Sequence, residues 1–292
     1  MRARFVVVLA LAALVLGTAP ALAEDPPRLS SIAAAERDIA PGTRACFSGA
    51  ESGQTKALTC HYGRKGPRLL LIGDSHMRAL SPAFRRLAEA GTIRVTLLIR
   101  SRCGWSSRPI KNLKAWVRDD CQTWRANVTR YVRRQKNVSA IVTHHRASTM
   151  PGTKAQRGPD TVRSWKVALD RRIPVIAVSD SPNWVLTRPS PTQCLRKNSA
   201  PREWRRCSAD VGDVMWFDWT VPSVQLARKR YGARAAFRIS MKETFCPKRR
   251  CRVVTPRGQI MFRDHQHLTA TYTRSLAPLF ERRLRSLGVL PS

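Results

Sequence analysis

Leu69-Leu70-Leu71-Ile72-Gly73-Asp74-Ser75-His76 decides the fold of this chain. The apolar run reads as a buried strand, Gly73-Asp74 as a tight turn, and Met77–Ala90 carries helical spacing. Strand, turn and helix in that order set the Ser75 hydroxyl at the rim of an α/β sheet, beside the backbone N–H groups of a helix N-terminus. Such N–H groups stabilise a developing oxyanion. In open parallel sheets ligands lie beyond the carboxyl ends of strands, which is where this turn falls.

The alternation continues outward from that stretch. Arg68–Gly73 and Ile93–Ile99 read as strands, and Asn112–Gln135 has helical spacing through Leu113, Trp116, Val117, Trp124, Val128, Tyr131 and Val132. Ser139–Thr143 follows as a third strand, Thr161–Arg171 as a helix and Pro174–Val178 as a fourth strand. Arg202–Arg230 reads as helical in its second half, and Ala233–Ile239 as a fifth strand. Thr269–Leu287 closes the chain as an amphipathic helix with Tyr272, Leu276, Leu279, Phe280 and Leu284 on its apolar side. Strands alternating with helices predict an α/β fold: a central parallel sheet of about five strands covered on both faces.

Residues 1–23 read as an export signal. Arg2 and Arg4 precede the apolar run Phe5–Leu16, and Ala21-Leu22-Ala23 is a small-x-small cleavage site. The run is short for a membrane span and no other segment is a candidate for one. Residues 24–67, poor in long apolar runs, read as an extension or linker wrapped onto the domain, and 68–292 as one large α/β domain.

Eight cysteines in an exported chain predict disulfides. They fall as sequence neighbours: Cys46 and Cys60, Cys103 and Cys121, Cys194 and Cys207, Cys246 and Cys251. Spacing alone leaves the connectivity open, and neighbour pairing is the expectation. A bridge closing a loop of ~15 residues is worth ~3 kcal/mol. With no Cys-x-x-Cys pair, zinc is the lesser reading. The balance of 53 Lys and Arg against 19 Asp and Glu gives a formal charge of +34, spread along the chain. That favours anionic polymers or lipid surfaces as neighbours. No nucleic-acid motif accompanies it.

Asp264-His265-Gln266-His267 supplies the partners a serine nucleophile needs. Three residues apart, Asp264 can accept from imidazole Nδ1 of His267 and leave its other nitrogen for the Ser75 proton. Each motif alone has a plainer reading: a turn with a capping serine, or an Asp cap beside a surface histidine. Together they favour a triad. Asp74 reads as a turn residue, His76 and Asp180 as structural, and His265 as pointing elsewhere. Trp105, Trp184 and Trp204 fall in predicted loops, where tryptophans either stack on sugars or fold over a core.

Gly73-Asp74-Ser75-His76 and Asp264-x-x-His267-Leu268-Thr269 resemble the SGNH (GDSL-like) hydrolase superfamily. More narrowly, the chain resembles the SGNH domain fused behind membrane O-acyltransferases that acetylate surface polysaccharides. Cys60-His61-Tyr62-Gly63, Cys103 and Phe245-Cys246…Cys251 carry that likeness, which covers roughly Ala45 to Leu284. The resemblance implies a flavodoxin-like three-layer α/β/α fold, a Ser75 nucleophile, an Asp264/His267 pair and acyl-ester chemistry on carbohydrate. The family's membrane part is absent from this sequence. The superfamily draws oxyanion donors from a glycine after the second strand and an asparagine after the third. Gly104 is placed for the first. At the second the chain has Thr143-His144-His145-Arg146, where His145 or Arg146 is a candidate donor or substrate contact.

The expectation is therefore an exported, envelope-associated serine esterase or O-acyltransferase that needs no cofactor or metal. Its substrate would be acyl esters, acetyl first, of cell-surface carbohydrate. A membrane acyltransferase and anionic envelope polymers are candidate partners. The alternative is a catalytically silent SGNH-fold binding module. A lipase ranks lower, because no long apolar lid is evident.

Overall fold

Leu69, Leu70, Leu71 and Ile72 are completely buried, because their strand has a neighbour on each side and helices over each face. The computed structural model describes residues 31–291 apart from 111–112, 148–149, 188, 199–200 and 216. The expected signal segment, 1–23, and the expected helix start at 112 lie outside the described residues.

The strands are β1 (Phe47–Ser48), β2 (Cys60–Tyr62), β3 (Arg68–Gly73), β4 (Arg94–Arg100), β5 (Ala140–His144), β6 (Val175–Val178), β7 (Ala209–Asp210), β8 (Ala236–Ile239) and β9 (Arg250–Cys251). The central sheet runs β1-β4-β3-β5-β6-β8, all parallel, with β2 antiparallel on the outer edge of β4. β7 and β9 form a separate small ladder. The five strands expected from sequence are all present and form the parallel series β4-β3-β5-β6-β8. That is the doubly wound order in which the direction of strand addition reverses beside β3. Two further short strands come from the stretch read as an extension, since β1 and β2 both pair with β4.

The helices are α1 (Ile32–Arg37), α2 (Ser75–Glu89), α3 (Ala115–Arg134), α4 (Lys154–Leu169), α5 (Pro191–Lys197), α6 (Val211–Val214), α7 (Thr220–Tyr231), α8 (Lys242–Phe245), α9 (Ala270–Ser275) and α10 (Ala277–Ser286). Alternate residues of a strand face opposite sides of a sheet. Leu69 and Leu71 accordingly pack with Phe84, Phe280 and Leu284 of α2 and α10, whereas Leu70 and Ile72 pack with Trp124, Trp165 and Trp219 beside α3, α4 and α7. These are the two cores of a three-layer α/β/α molecule.

The closing segment differs from the single helix expected over Thr269–Leu287. It breaks at Leu276 into α9 and α10. Pro278 has no N–H to return to the preceding turn, so the ladder cannot run through it, and proline sits instead in the first turn of a new helix. α4 begins at Lys154, well before the expected Thr161, because Thr153 and Gln156 form a capping box that starts it.

All eight cysteines are bridged, in the expected neighbour pairs: Cys46–Cys60, Cys103–Cys121, Cys194–Cys207 and Cys246–Cys251. The first ties the turn before β1 to β2, and the second ties the loop after β4 to α3. No helix among the described residues is long and apolar enough to cross a membrane.

Candidate active site

The site begins with a close approach. At Gly73, the last residue of β3, an added Cβ would lie 2.0 Å from the His144 carbonyl oxygen and 2.7 Å from Met77 Cβ. Only glycine lets β3 turn this tightly against the end of β5. Asp74 then caps α2, its Oδ1 accepting the His76 N–H at 2.9 Å. Its Oδ2 accepts the Arg146 N–H at 3.1 Å and so ties the turn after β3 to the loop after β5. Ser75, the first residue of α2, stands where the strand order reverses. The cap satisfies the His76 N–H rather than the Ser75 N–H.

The loop before α9 brings the partners. His267 Nε2 lies 2.9 Å from Ser75 Oγ, and His267 Nδ1 lies 2.8 Å from Asp264 Oδ2. An ionised carboxylate only accepts, so Nδ1 carries the proton and Nε2 is left to accept from the hydroxyl. Asp264 Oδ1 accepts the N–H groups of Gln266 at 2.9 Å and His267 at 2.8 Å. The Arg263 N–H closes the loop by donating to the His267 carbonyl at 2.9 Å. Burial alone would raise the Asp264 carboxyl. The His267 hydrogen bond and charge, the Gln266 N–H and nearby Arg263 outweigh it and hold the group well below the usual carboxylate range. His267 sits below its ordinary value, chiefly by burial, with His76 and Arg263 pushing the same way and Asp264 opposing. At neutral pH the imidazole is thus uncharged and able to take a proton.

Behind His267 lies a second buried pair. His76 Nδ1 is 2.7 Å from Asp180 Oδ1, and the His76 and His267 rings meet edge to face with centroids 5.2 Å apart. Asp180 also accepts the Ser181 N–H at 2.8 Å and the Ala147 N–H at 2.7 Å. Burial disfavours a charged His76, but the Asp180 carboxylate and then Asp74 outweigh it and its pKa is raised, while the same contacts lower that of Asp180. His144 is held by the Val178 carbonyl at 3.2 Å. Donor atoms of His76, His144 and Asp180 lie within 4.8 Å of one another, close enough for a metal ion. Each of the three nonetheless has a hydrogen-bonding partner in the protein itself.

Ser75 and His267 open into a cavity of about 290 Å³, whose walls include Asp74, Gln266, Phe47, Ser101 and four arginines: Arg78, Arg102, Arg146 and Arg263. Of the other residues expected here, Arg146 is on the wall. His145 does not reach it: the ring is fully buried and stacked on Trp219 at 3.9 Å. Gly104 packs against that ring, where an added Cβ would lie 3.0 Å from it, and its carbonyl holds Arg125 Nε at 2.8 Å. Ser101 and Arg102, not Gly104, supply the wall after β4. Trp105 and Trp184 are buried in the cores and present no sugar-stacking face. A wider depression of about 700 Å³ adjoins the same loop, lined by His265 with Pro189, Gln193, Arg196 and Lys197.

Sequence reasoning missed Arg78, Arg102, Arg263 and Gln266. Two signals were available: Arg78 is three residues beyond Ser75 on one helical face, and Arg263 and Gln266 flank or lie within the Asp264–His267 motif.

Residues 45–282 match the family model described as the SGNH domain fused to AT3 domains. Among solved structures, the periplasmic domain of a lipopolysaccharide acetyltransferase from Salmonella ser. Paratyphi A superposes with a TM-score of 0.55 at 14% identity, covering 83% of this chain and 92% of that one. A putative GDSL-like lipase from Bacteroides ovatus gives a TM-score of 0.44 at 10% identity, covering 77% and 55%. No curated protein matches the chain. At these identities the likeness of the acetyltransferase domain shows the fold.

Proposed function

From the premise that this chain belongs to the family of SGNH domains fused to AT3 domains, we propose that it is a serine esterase or O-acyltransferase that works outside the cytoplasm on acyl esters of surface carbohydrate. The observation that carries this reading is the unbroken chain Ser75 Oγ–His267 Nε2 and His267 Nδ1–Asp264, with bonds of 2.9 and 2.8 Å.

Ser75 Oγ attacks the ester carbonyl as its proton passes to His267 Nε2. The new Oγ–C bond places negative charge on the carbonyl oxygen, beside the Ser75 N–H at the start of α2. Collapse breaks the C–O bond to the alcohol, and His267 returns the proton to the departing oxygen. The acyl-enzyme then passes its acyl group to water or to a sugar hydroxyl by the same steps in reverse. Asp264 holds the imidazole tautomer and steadies the imidazolium. We assign no oxyanion role to Gly104, which is not on the cavity wall. Export is supported by the four disulfides and by likeness to a periplasmic domain. The wider depression beside His265 suits the glycan chain, and a membrane acyltransferase suits the role of acyl donor.

The test is acetate release from an O-acetylated polysaccharide by the oxidised mature protein and by Ser75→Ala. Release by the first and not the second supports the reading. Equal background from both, together with polymer binding that survives Ser75→Ala, would instead favour a binding module.

A further inference from the structure

Four arginines line the small cavity beside Ser75, and they come from four different parts of the chain. Arg78 is on α2, Arg102 follows β4, Arg146 follows β5, and Arg263 precedes Asp264. In a chain with 53 basic residues, some arginines will line any cavity. These differ in three ways from a solvated basic surface.

First, three of them are drawn out of water: Arg78 and Arg146 are half-buried, and the Arg263 side chain is 16% exposed. Desolvating a cation is unfavourable, and the cost persists unless something returns it. Second, they face one another as like charges. Arg263 adds to burial in weakening the hold of Arg78 on its proton; at Arg146 burial lowers the pKa against the pull of Asp180 and Asp74, and Arg102 pushes the same way as burial. Asp74 and Asp264 offset part of this charge, with Asp264 3.7 Å from Arg263, but each also has another task, Asp74 in capping α2 and Asp264 in holding His267. Third, Arg78 is held in place and Arg102 sits on unusual backbone. Arg78 donates from Nε to Thr43 Oγ1 at 2.8 Å and lies 4.2 Å over the Phe47 ring. Arg102 has φ 55°, a left-handed conformation that non-glycine residues adopt at some cost and that is often found at functional sites.

We propose that the cavity reads a carboxylate: the ester it accepts bears a carboxylate within a few atoms of the scissile carbonyl, held by Arg102 and Arg146 with Arg78 and Arg263 behind them. This rests on the reading of Ser75 as the nucleophile. Planar guanidinium forks match a planar carboxylate. About 290 Å³, shared with the reacting ester, leaves room for a short acyl chain or one sugar substituent. The charge has two sources with the same chemistry, the acyl group as a dicarboxylic half-ester or the sugar as a uronate.

The test compares kcat/KM within two matched pairs on the oxidised mature protein. One pair is 4-nitrophenyl hemisuccinate against 4-nitrophenyl butanoate, which places the charge on the acyl side. The other is O-acetylated glucuronate against O-acetylated glucose, which places it on the sugar. A charged hydrogen bond of ~1.5–3 kcal/mol corresponds to a preference of about tenfold or more. We expect that preference for the anionic member of one pair. It should collapse in Arg102→Gln and Arg146→Gln and persist in Arg282→Gln, which changes an exposed cation on α10. Equal rates within both pairs, or a preference that both cavity variants retain, overturns the proposal. Should the protein turn over none of these esters, the Ser75 reading falls and binding decides this one. Saturable thermal protection of Ser75→Ala by succinate or glucuronate, lost when Arg146→Gln is added, sustains a carboxylate site; no protection ends it.

Discussion

His267 Nε2 lies 2.9 Å from Ser75 Oγ although 192 positions of sequence separate the two residues. One comes from the turn after the central strand β3 and the other from the loop before the closing helices. α2 is packed against both closing helices, with Phe84 and Phe280 rings 4.7 Å apart. The alignment of the two side chains is therefore a property of the folded core, not of either loop alone.

Asp264→Asn should spare the fold and remove the chemistry. An asparagine keeps an oxygen for the two loop N–H groups but offers no charge to the imidazolium and does not enforce the tautomer. Ester turnover should fall by ~10³–10⁴, while the melting temperature changes little. Parallel kinetics and thermal scans check this.

The acid limb of kcat/KM should fall below the ordinary histidine value, since His267 is lowered and must be neutral to act. Burial sets it first, then Asp264, His76 and Arg263, with Asp180 acting through its bond to His76. A protonated His76 disfavours a second charge on His267, so His76→Gln should move the acid limb to higher pH. Asp180→Asn should move it the same way, because His76 then loses the carboxylate that keeps it charged. A pH–rate profile unchanged in both variants would refute the assignment.

The same pair should matter for stability. His76 is raised and Asp180 lowered. The contribution of Asp180 is therefore present above the unfolded carboxylate range and lost as pH falls through its folded pKa. That of His76 is present below the unfolded histidine value and lost as pH rises through its raised pKa. Asp180→Ala leaves a buried histidine and two backbone N–H groups without an acceptor. It should cost ~3–5 kcal/mol near pH 6 by denaturant titration.

Gly73→Ala should be far costlier than an ordinary glycine substitution. Its Cβ would meet backbone at 2.0 Å, so β5 or the turn must move. We expect loss of ester turnover and a melting temperature lower by several degrees, the shift of ~1 kcal/mol or more for a domain this size.

The sheet and the serine turn were legible because they rest on local signals: an apolar run, turn residues and a helical period. The Asp264–His267 pair was legible from its spacing. Contacts that depend on the fold closing were not. The His76–Asp180 bond spans 104 positions, and nothing in either neighbourhood marks it. His145 looked available beside Arg146, yet alternation along β5 and the loop after it turns one into the Trp219 core and the other to the cavity. Arg78, Arg102 and Arg263 were hidden by composition, since a uniformly basic chain gives no contrast until the fold gathers them with Arg146 at one cavity.

The most direct measurement is intact and peptide mass analysis of the oxidised mature protein after a fluorophosphonate probe. The account predicts one adduct on the peptide carrying Ser75, absent in Ser75→Ala and sharply slowed in His267→Ala. A folded, disulfide-bonded protein that takes up no probe at Ser75 would contradict it.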